Sequence, residues 1–273
     1  MAGKTAQGSS NGAGAREGCA LVTGAGRGIG AAIAVGLAAD GWPVVVNYRA
    51  DEEGARGVVS RIEEAGGRAT AIQGDVASSE DVERTFGELE EAYGPALVVV
   101  NNAGIRHDRL TAGLSVEDWR RVVDVNLHGT FHTINRALGK MVRNRFGRIV
   151  NISTISAARP LPGQSAYAAS KAGVEALTRA VSIEVARRGV TVNAIEPGLV
   201  ATDFVPELTE EWAQAVPAKR WAEPEEIAAL VRFLASEEAS FITGAVIPMD
   251  GGMTAGLGTF GRPAGNRETA VTQ

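Results

Sequence analysis

The sequence predicts a doubly wound parallel α/β sheet in a single domain. Three observations carry that expectation: short β-branched runs alternate with helical stretches, a glycine-rich turn joins the first run to the first helix, and no linker interrupts the series. Strands separated by helices of this length require parallel crossovers, so helices should cover both faces of one sheet of about seven strands.

Taken in order, Met1 to Gly18 are rich in Gly, Ala and Ser with scattered charges, the composition of a disordered extension. The first strand is expected at Cys19-Ala20-Leu21-Val22-Thr23, and the turn Gly24 to Gly30 leads into an Ala-rich helix reaching about Asp40. Gly41 closes that helix, and Pro43 to Asn47 form the second strand. The unit then recurs, with a charged helix over about Asp51 to Ala65, a strand Ala69 to Gln73, a helix Ser79 to Tyr93 and a strand Leu97 to Asn101. A long helix from around Val116 to Phe146, broken near its start, precedes the strand Arg148 to Ile152. The Pro- and Gly-containing loop Arg159 to Gly163 leads to a helix from about Ser165 to Arg188, and Val190 to Ile195 form the strand that Pro197-Gly198 ends. Ala201 to Arg220 hold two prolines and mixed polarity, which suits a lid better than a core element. A helix Pro224 to Ala235 and a strand Ala245 to Met249 complete a domain running from 19 to 253, and the Gly-rich polar tail Thr254 to Gln273 is expected to be poorly ordered.

With 273 residues, 45% of them hydrophobic, the chain can bury one substantial core. A net charge of −5 and a pI of 5.4 give no reason to expect nucleic acid or an anionic membrane as partner. Cys19 is the sole cysteine, so neither a disulfide framework nor a thiolate metal site is expected. His107, His128 and His132 make no ligand set, although the last two are four residues apart, and no metal is predicted. No stretch approaches the ~18 apolar residues of a membrane span, and no apolar leader opens the chain, so a cytoplasmic location is the expectation.

Two constellations carry chemistry. The stretch Asn151 to Lys171 passes from strand through loop to helix, at the sheet edge where open α/β proteins place ligands. Its helix carries Tyr167 and Lys171 four residues apart, hence on one face. An ammonium beside a phenol favours the phenolate, which makes the pair a plausible general acid. Earlier, Gly24, Gly28 and Gly30 are spaced to bring the backbone close to a pyrophosphate at a helix amino end, where amides and the helix dipole favour an anion. A tight turn without a ligand would show the same glycines, but their place after the first strand points to a dinucleotide.

Thr23-Gly24-x-x-x-Gly28-Ile29-Gly30, Asn101-Asn102-Ala103-Gly104, Tyr167-x-x-x-Lys171 and Pro197-Gly198, in this order, resemble the short-chain dehydrogenases/reductases over about Cys19 to Met253. Within that superfamily, Asn102-Ala103-Gly104-Ile105 with Asp108 and Leu110, and Phe241-Ile242-Thr243-Gly244, resemble the 3-oxoacyl-[acyl-carrier-protein] reductases and polyketide ketoreductases. The resemblance implies a Rossmann-type domain and an oxidoreductase that reduces the 3-oxo group of an acyl thioester.

The cofactor it implies is a nicotinamide dinucleotide. An NAD enzyme would place a ribose-reading acid at the end of the second strand. Here that position is Tyr48, followed by Arg49, with no carboxylate before Asp51, and Arg27 lies in the glycine turn. Two guanidiniums and no acid suit a 2′-phosphate, so NADPH is expected. If both arginines are merely solvated, dual use of NAD and NADP follows. By resemblance, Asp75 and Val76 touch the adenine, Asn102, Ala103 and Gly104 line the cofactor path, and Pro197, Gly198, Val200 and Thr202 complete the site, with Tyr167 and Lys171 at the nicotinamide end.

In the family the tyrosine donates a proton as hydride arrives, which assigns that role to Tyr167. Lys171 would lower its pKa and hold the nicotinamide ribose, and Asn126 would disturb its helix and anchor a water beside the lysine. The family's catalytic serine is absent: the matching position is Thr154, which keeps the hydroxyl and adds a methyl group. Ser153 should point away by strand alternation, and Ser156 is a weaker candidate. Glu196 stands where relatives carry a small residue; it could repel an anionic substrate, hydrogen-bond within the site, or face solvent.

Arg145 and Arg188 match the arginines with which such reductases dock acyl carrier protein, although arginines ending surface helices also serve as solvated, dipole-compensating charges. Phe204, Val205, Leu208 and Trp212 suggest an apolar cover over the substrate. The resemblance further implies a homotetramer. Two other readings stay open: a short-chain dehydrogenase of a sugar, steroid or small alcohol, and a non-enzymatic NADP-binding module in which Thr154 marks lost catalysis.

Overall fold

Seven parallel strands form one sheet in the computed structural model, which describes residues 18–204 and 209–256. Strands β1 (Cys19–Val22), β2 (Val44–Tyr48), β3 (Ala69–Gln73), β4 (Ala96–Asn101), β5 (Gly147–Ile152), β6 (Val190–Pro197) and β7 (Val246–Met249) lie in the order β3-β2-β1-β4-β5-β6-β7. The helices are α1 (Gly28–Ala39), α2 (Glu52–Glu64), α3 (Ser79–Tyr93), α4 (Val116–Val123), α5 (Gly129–Asn144), α6 (Ser165–Val185), α7 (Glu210–Ala215) and α8 (Pro224–Ala235).

Alternation along the strands divides the core. Ala20, Val22, Val98 and Val100 face a cluster built with Ile33 and Leu37 of α1, Val58 and Ile62 of α2, and Ile227 and Val231 of α8. Cys19, Leu21, Val45 and Val99 face the other side, with Phe86 and Leu89 of α3, Ile134 and Met141 of α5, and Val181 of α6. Central strands buried on both faces explain the nearly unbroken β-branched runs. The helical stretch expected from Val116 to Phe146 is α4 and α5 joined by a π turn, Asp124–His128, that contains Asn126. The segment expected to be a lid holds one short helix, α7, which buries Ala213. Residues 1–17, 205–208 and 257–273, with Val205 and Leu208 of the expected cover and most of both expected tails, lie outside the described residues. Among the described residues no helix is long and apolar enough to cross a membrane, and no group of His, Cys, Asp and Glu side chains is placed to hold a metal.

Candidate active site

The strand order reverses between β1 and β4, and a cavity of about 1170 Å³ opens beyond their carboxyl ends. Thr23 and Asn102 join the two strand ends: the Asn102 and Ala103 amides each donate to Thr23 Oγ1 at 3.0 Å, and Asn102 Nδ2 donates to the carbonyls of Thr23 at 3.0 Å and Gly24 at 2.9 Å. The motif contains Thr23, yet its structural task is not legible from the sequence. Gly24, Arg27, Gly28, Ile29 and Gly30 form one wall. Tyr48 and Arg49, then Asp75 and Val76, and then Asn102, Ala103 and Gly104 follow it around the cavity. Thr154, Tyr167, Lys171, Pro197, Gly198, Val200 and Thr202 close the far side.

The glycine wall fits a dinucleotide pyrophosphate. Gly24 and Gly28 take positive φ (+60° and +54°), and a Cβ on Gly30 would stand 2.5 Å from Asn102 Nδ2 and from the Gly24 carbonyl. Helices α2, α3 and α4 are capped by the side chains of Asp51, Ser78 and Ser115 and carry acids in their first turns. Helix α1 has neither a capping side chain nor an acid there. Its amino end therefore offers backbone amides and the positive end of the dipole to an anion.

On the opposite wall, Tyr167 and Lys171 follow each other along α6, both buried. The resemblance makes Lys171 the group that lowers the phenol's pKa. Burial pushes the Tyr167 phenol up to about 12; the Thr154 hydroxyl and the Arg106 guanidinium pull it back, and Asp108 raises it. Lys171 Nζ donates to the Ile152 carbonyl at 2.7 Å, and burial lowers its own pKa to about 8. Thr154 caps the short turn Ile155–Ala157 by accepting from the Ser156 amide at 3.2 Å. Ser153 Oγ is directed to Glu175 Oε1, 2.7 Å away. Asn126 lies behind the wall with 0% exposure: its Oδ1 accepts from the Ile105 amide at 2.8 Å, and its Nδ2 donates to the Ile105 carbonyl at 2.9 Å and to Ser170 Oγ at 3.0 Å. The π turn thus aims this side chain at the loop after β4 and ties that loop to α6.

A family model described as Enoyl-(Acyl carrier protein) reductase matches residues 24–254. The chain is 44% identical to the 3-oxoacyl-[acyl-carrier-protein] reductase of Synechocystis over 86% of its own length and 96% of that protein's. The chain belongs to the short-chain dehydrogenase/reductase family. It is accordingly an oxidoreductase working between a carbonyl and its alcohol with a nicotinamide cofactor. The 3β-hydroxysteroid dehydrogenase 1 of Eggerthella lenta is 42% identical over 86% of this chain and 92% of that protein. A crystal structure of a putative gluconate dehydrogenase from Agrobacterium tumefaciens superposes with a TM-score of 0.84 at 34% identity, covering 88% of this chain and 97% of that one.

Several residues of this short-chain reductase site have no signal in the motifs. Arg106, Arg159 and Met253 line the cavity, beside Asp108 of the reductase-like motif. Phe204 and Trp212 also reach it from the lid, and the Phe204 ring centroid lies 6.2 Å from that of Tyr167. Arg145 and Arg188 are exposed at the amino ends of β5 and β6, the sheet edge opposite the cavity, where Arg145 Nη2 donates to the Arg187 carbonyl at 3.4 Å.

Glu196 faces Glu175 of α6, which is itself within 3.8 Å of Arg179. Burial first, then the charge of Glu175, push the Glu196 carboxyl up to about 7. A carboxyl raised above its ordinary 4.5 contributes stability that is full below that value and is lost as pH rises through about 7. Glu196→Gln removes the titration and keeps a hydrogen-bonding group. Its melting temperature, followed by calorimetry, should gain on that of the parent between pH 5 and pH 8. Solvent screening of this partly exposed group keeps the gain on the order of 2 °C. A constant difference across that range would show that the pair does not share a proton.

Proposed function

We propose that the protein is an NADPH-dependent ketoreductase that transfers hydride to the 3-oxo group of an acyl thioester, of fatty-acid or polyketide type, giving the hydroxy product. The observation that carries this reading is the convergence of Tyr167, Thr154 and Lys171 on one wall of a cavity whose other wall is the glycine cradle. The reduced nicotinamide supplies the hydride when bound. Tyr167 donates its proton to the substrate carbonyl oxygen, and its raised pKa keeps the phenol protonated at neutral pH. The Thr154 hydroxyl hydrogen-bonds to the same oxygen and orients it, keeping its own proton. Lys171, still mostly charged at pH 7, has three N–H donors, of which one is held by Ile152; the others are available to ribose hydroxyls. Asn126 keeps the loop bearing Gly104 against the lysine, since a Cβ on Gly104 would stand 3.4 Å from both Lys171 Nζ and Asn126 Oδ1. Phe204 and Trp212 supply an apolar cover that excludes water.

The preference for NADPH rests on the rim. Arg27 and Arg49 border the cavity beside Tyr48, while Asp51 accepts from the Gly54 amide at 3.0 Å as the cap of α2. One Asp51 oxygen is used by that cap and Arg49 Nη1 lies 3.9 Å from Asp75 Oδ2; the two guanidiniums are the groups suited to a 2′-phosphate. A carrier protein held by Arg145 and Arg188 would serve the cavity of another protomer, because these residues sit at the far edge of the sheet; this agrees with a homotetramer. A second reading, a hydroxysteroid dehydrogenase, is favoured by one observation. Identity to the Eggerthella enzyme, 42%, falls alongside the 42% and 44% shared with the acyl-carrier-protein reductases.

The test is cofactor oxidation with an acetoacetyl thioester, a steroid ketone and a panel of keto sugars. The expected result is thioester turnover, with NADPH preferred over NADH by about tenfold or more. Absence of turnover of every carbonyl, with dinucleotide still bound, would overturn the enzymatic reading. Thr154→Val is expected to lower kcat by about 10²-fold while NADPH affinity is kept. Loss of turnover in Ser156→Ala with Thr154→Val fully active would transfer the role to Ser156.

A further inference from the structure

The loop after β4 places a guanidinium beside the catalytic phenol. Arg106 lines the cavity, its side chain 23% exposed, with its Cζ atom 5.7 Å from the centre of the Phe204 ring and its Nη1 3.4 Å from Asp108 Oδ2. The backbone next to it is clamped, because Asn126 holds both the amide and the carbonyl of Ile105. Arg106 is therefore a cation on a fixed stem. It shares the cavity with Tyr167, and the Phe204 ring lies within reach of both, 5.7 Å from the guanidinium and 6.2 Å from the phenol ring.

We propose that Arg106 is a substrate-positioning residue that donates to the C1 oxygen of a 3-oxoacyl group while Tyr167 and Thr154 act on the C3 oxygen. This rests on the thioester reading above and adds the group that separates such substrates from plain ketones. A 3-oxoacyl thioester carries a second carbonyl two carbons from the reacting one, and a simple ketone does not. A guanidinium has five donors in a planar fork, so it serves a carbonyl oxygen alongside the protein partners it keeps. Among the other polar side chains of the cavity, Arg159 Nη1 donates to the Thr254 carbonyl, Gln164 Oε1 accepts from the Leu161 amide at 3.1 Å, and Ser153 Oγ is bound to Glu175. The guanidinium lies 5.7 Å from the centre of the Phe204 ring, a cation–π contact that ties Arg106 to the lid.

The experiment compares two substrates in the presence of NADPH: the acetoacetyl thioester of N-acetylcysteamine, and a methyl ketone of matched length without the C1 carbonyl. Arg106→Leu should reduce kcat/KM for the thioester by about 10- to 100-fold, mainly through KM, and leave the plain ketone within about threefold. Arg106→Lys should recover part of the loss, because a point charge replaces the fork. Parallel loss on both substrates would overturn the proposal, as would no loss on either, at unchanged melting temperature. A parent enzyme that reduces the plain ketone but never the thioester would overturn it together with the thioester reading. A parent active on both, with a variant impaired equally on both, would overturn the positioning role alone.

Discussion

Tyr167→Phe is expected to lower kcat for a 3-oxoacyl thioester by about 10³-fold or more, with NADPH affinity and melting temperature nearly unchanged. In the proposed mechanism the substitution removes the single oxygen that carries the proton to the substrate. The ring stays, so packing against Phe204 survives. The cofactor is held by the glycine wall and Lys171 in this scheme, so fluorescence titration with NADPH should show parent-like affinity. The pH profile offers an independent check. Because burial pushes the phenol up to about 12, it stays protonated through the neutral range, and ionisation of Tyr167 should not limit reduction between pH 6 and 8. Alcohol oxidation needs the phenolate and should instead climb as pH rises. Retention of more than about a tenth of the parent's kcat would mean that water or Thr154 supplies the proton.

Much of this site was legible in the sequence because its parts are local. Tyr167 and Lys171 share a helix face at a spacing of four, and Gly24, Gly28 and Gly30 sit in one turn. Strand alternation sets Ser153 apart from Thr154, and its hydroxyl points to Glu175. The unread parts depend on contacts between distant segments. Glu196 meets Glu175 only because β6 lies beside α6, and nothing in either segment shows which way a carboxylate before Pro197 will face. Arg106 lies in a loop without periodicity, and its place is set by Asn126, twenty residues on, through a π turn that hydrophobic spacing does not reveal. The pairing of Lys171 with Ile152 is of the same kind. A spacing of four says that the ammonium shares a face with the phenol, whereas a carbonyl on β5 decides where it points.

Arg148→Met is expected to destabilise the fold by about 3 kcal/mol, a fall in melting temperature of roughly 8 °C, while activity per folded molecule at low temperature is retained. Within an apolar strand this arginine is only 2% exposed. Its Nε donates to the Ser236 carbonyl at 3.1 Å, and its Nη1 donates to the carbonyls of Gly147 at 2.9 Å and Gly189 at 3.1 Å. The guanidinium also lies 4.3 Å from the centre of the Phe146 ring. One side chain therefore ties the start of β5 to the turn before β6 and to the end of α8, at the sheet edge opposite the cavity. Methionine matches the stem but has no donor, so three carbonyls lose a partner at once, and the penalty of unmet acceptors outweighs what the apolar side chain regains. A Met variant that melts within about 2 °C of the parent would mean that solvent reaches those carbonyls. A variant that loses kcat in proportion to its stability would mean that the two ends of β5 are coupled, so the distance between Arg148 and Thr154 makes this substitution a control for the catalytic ones.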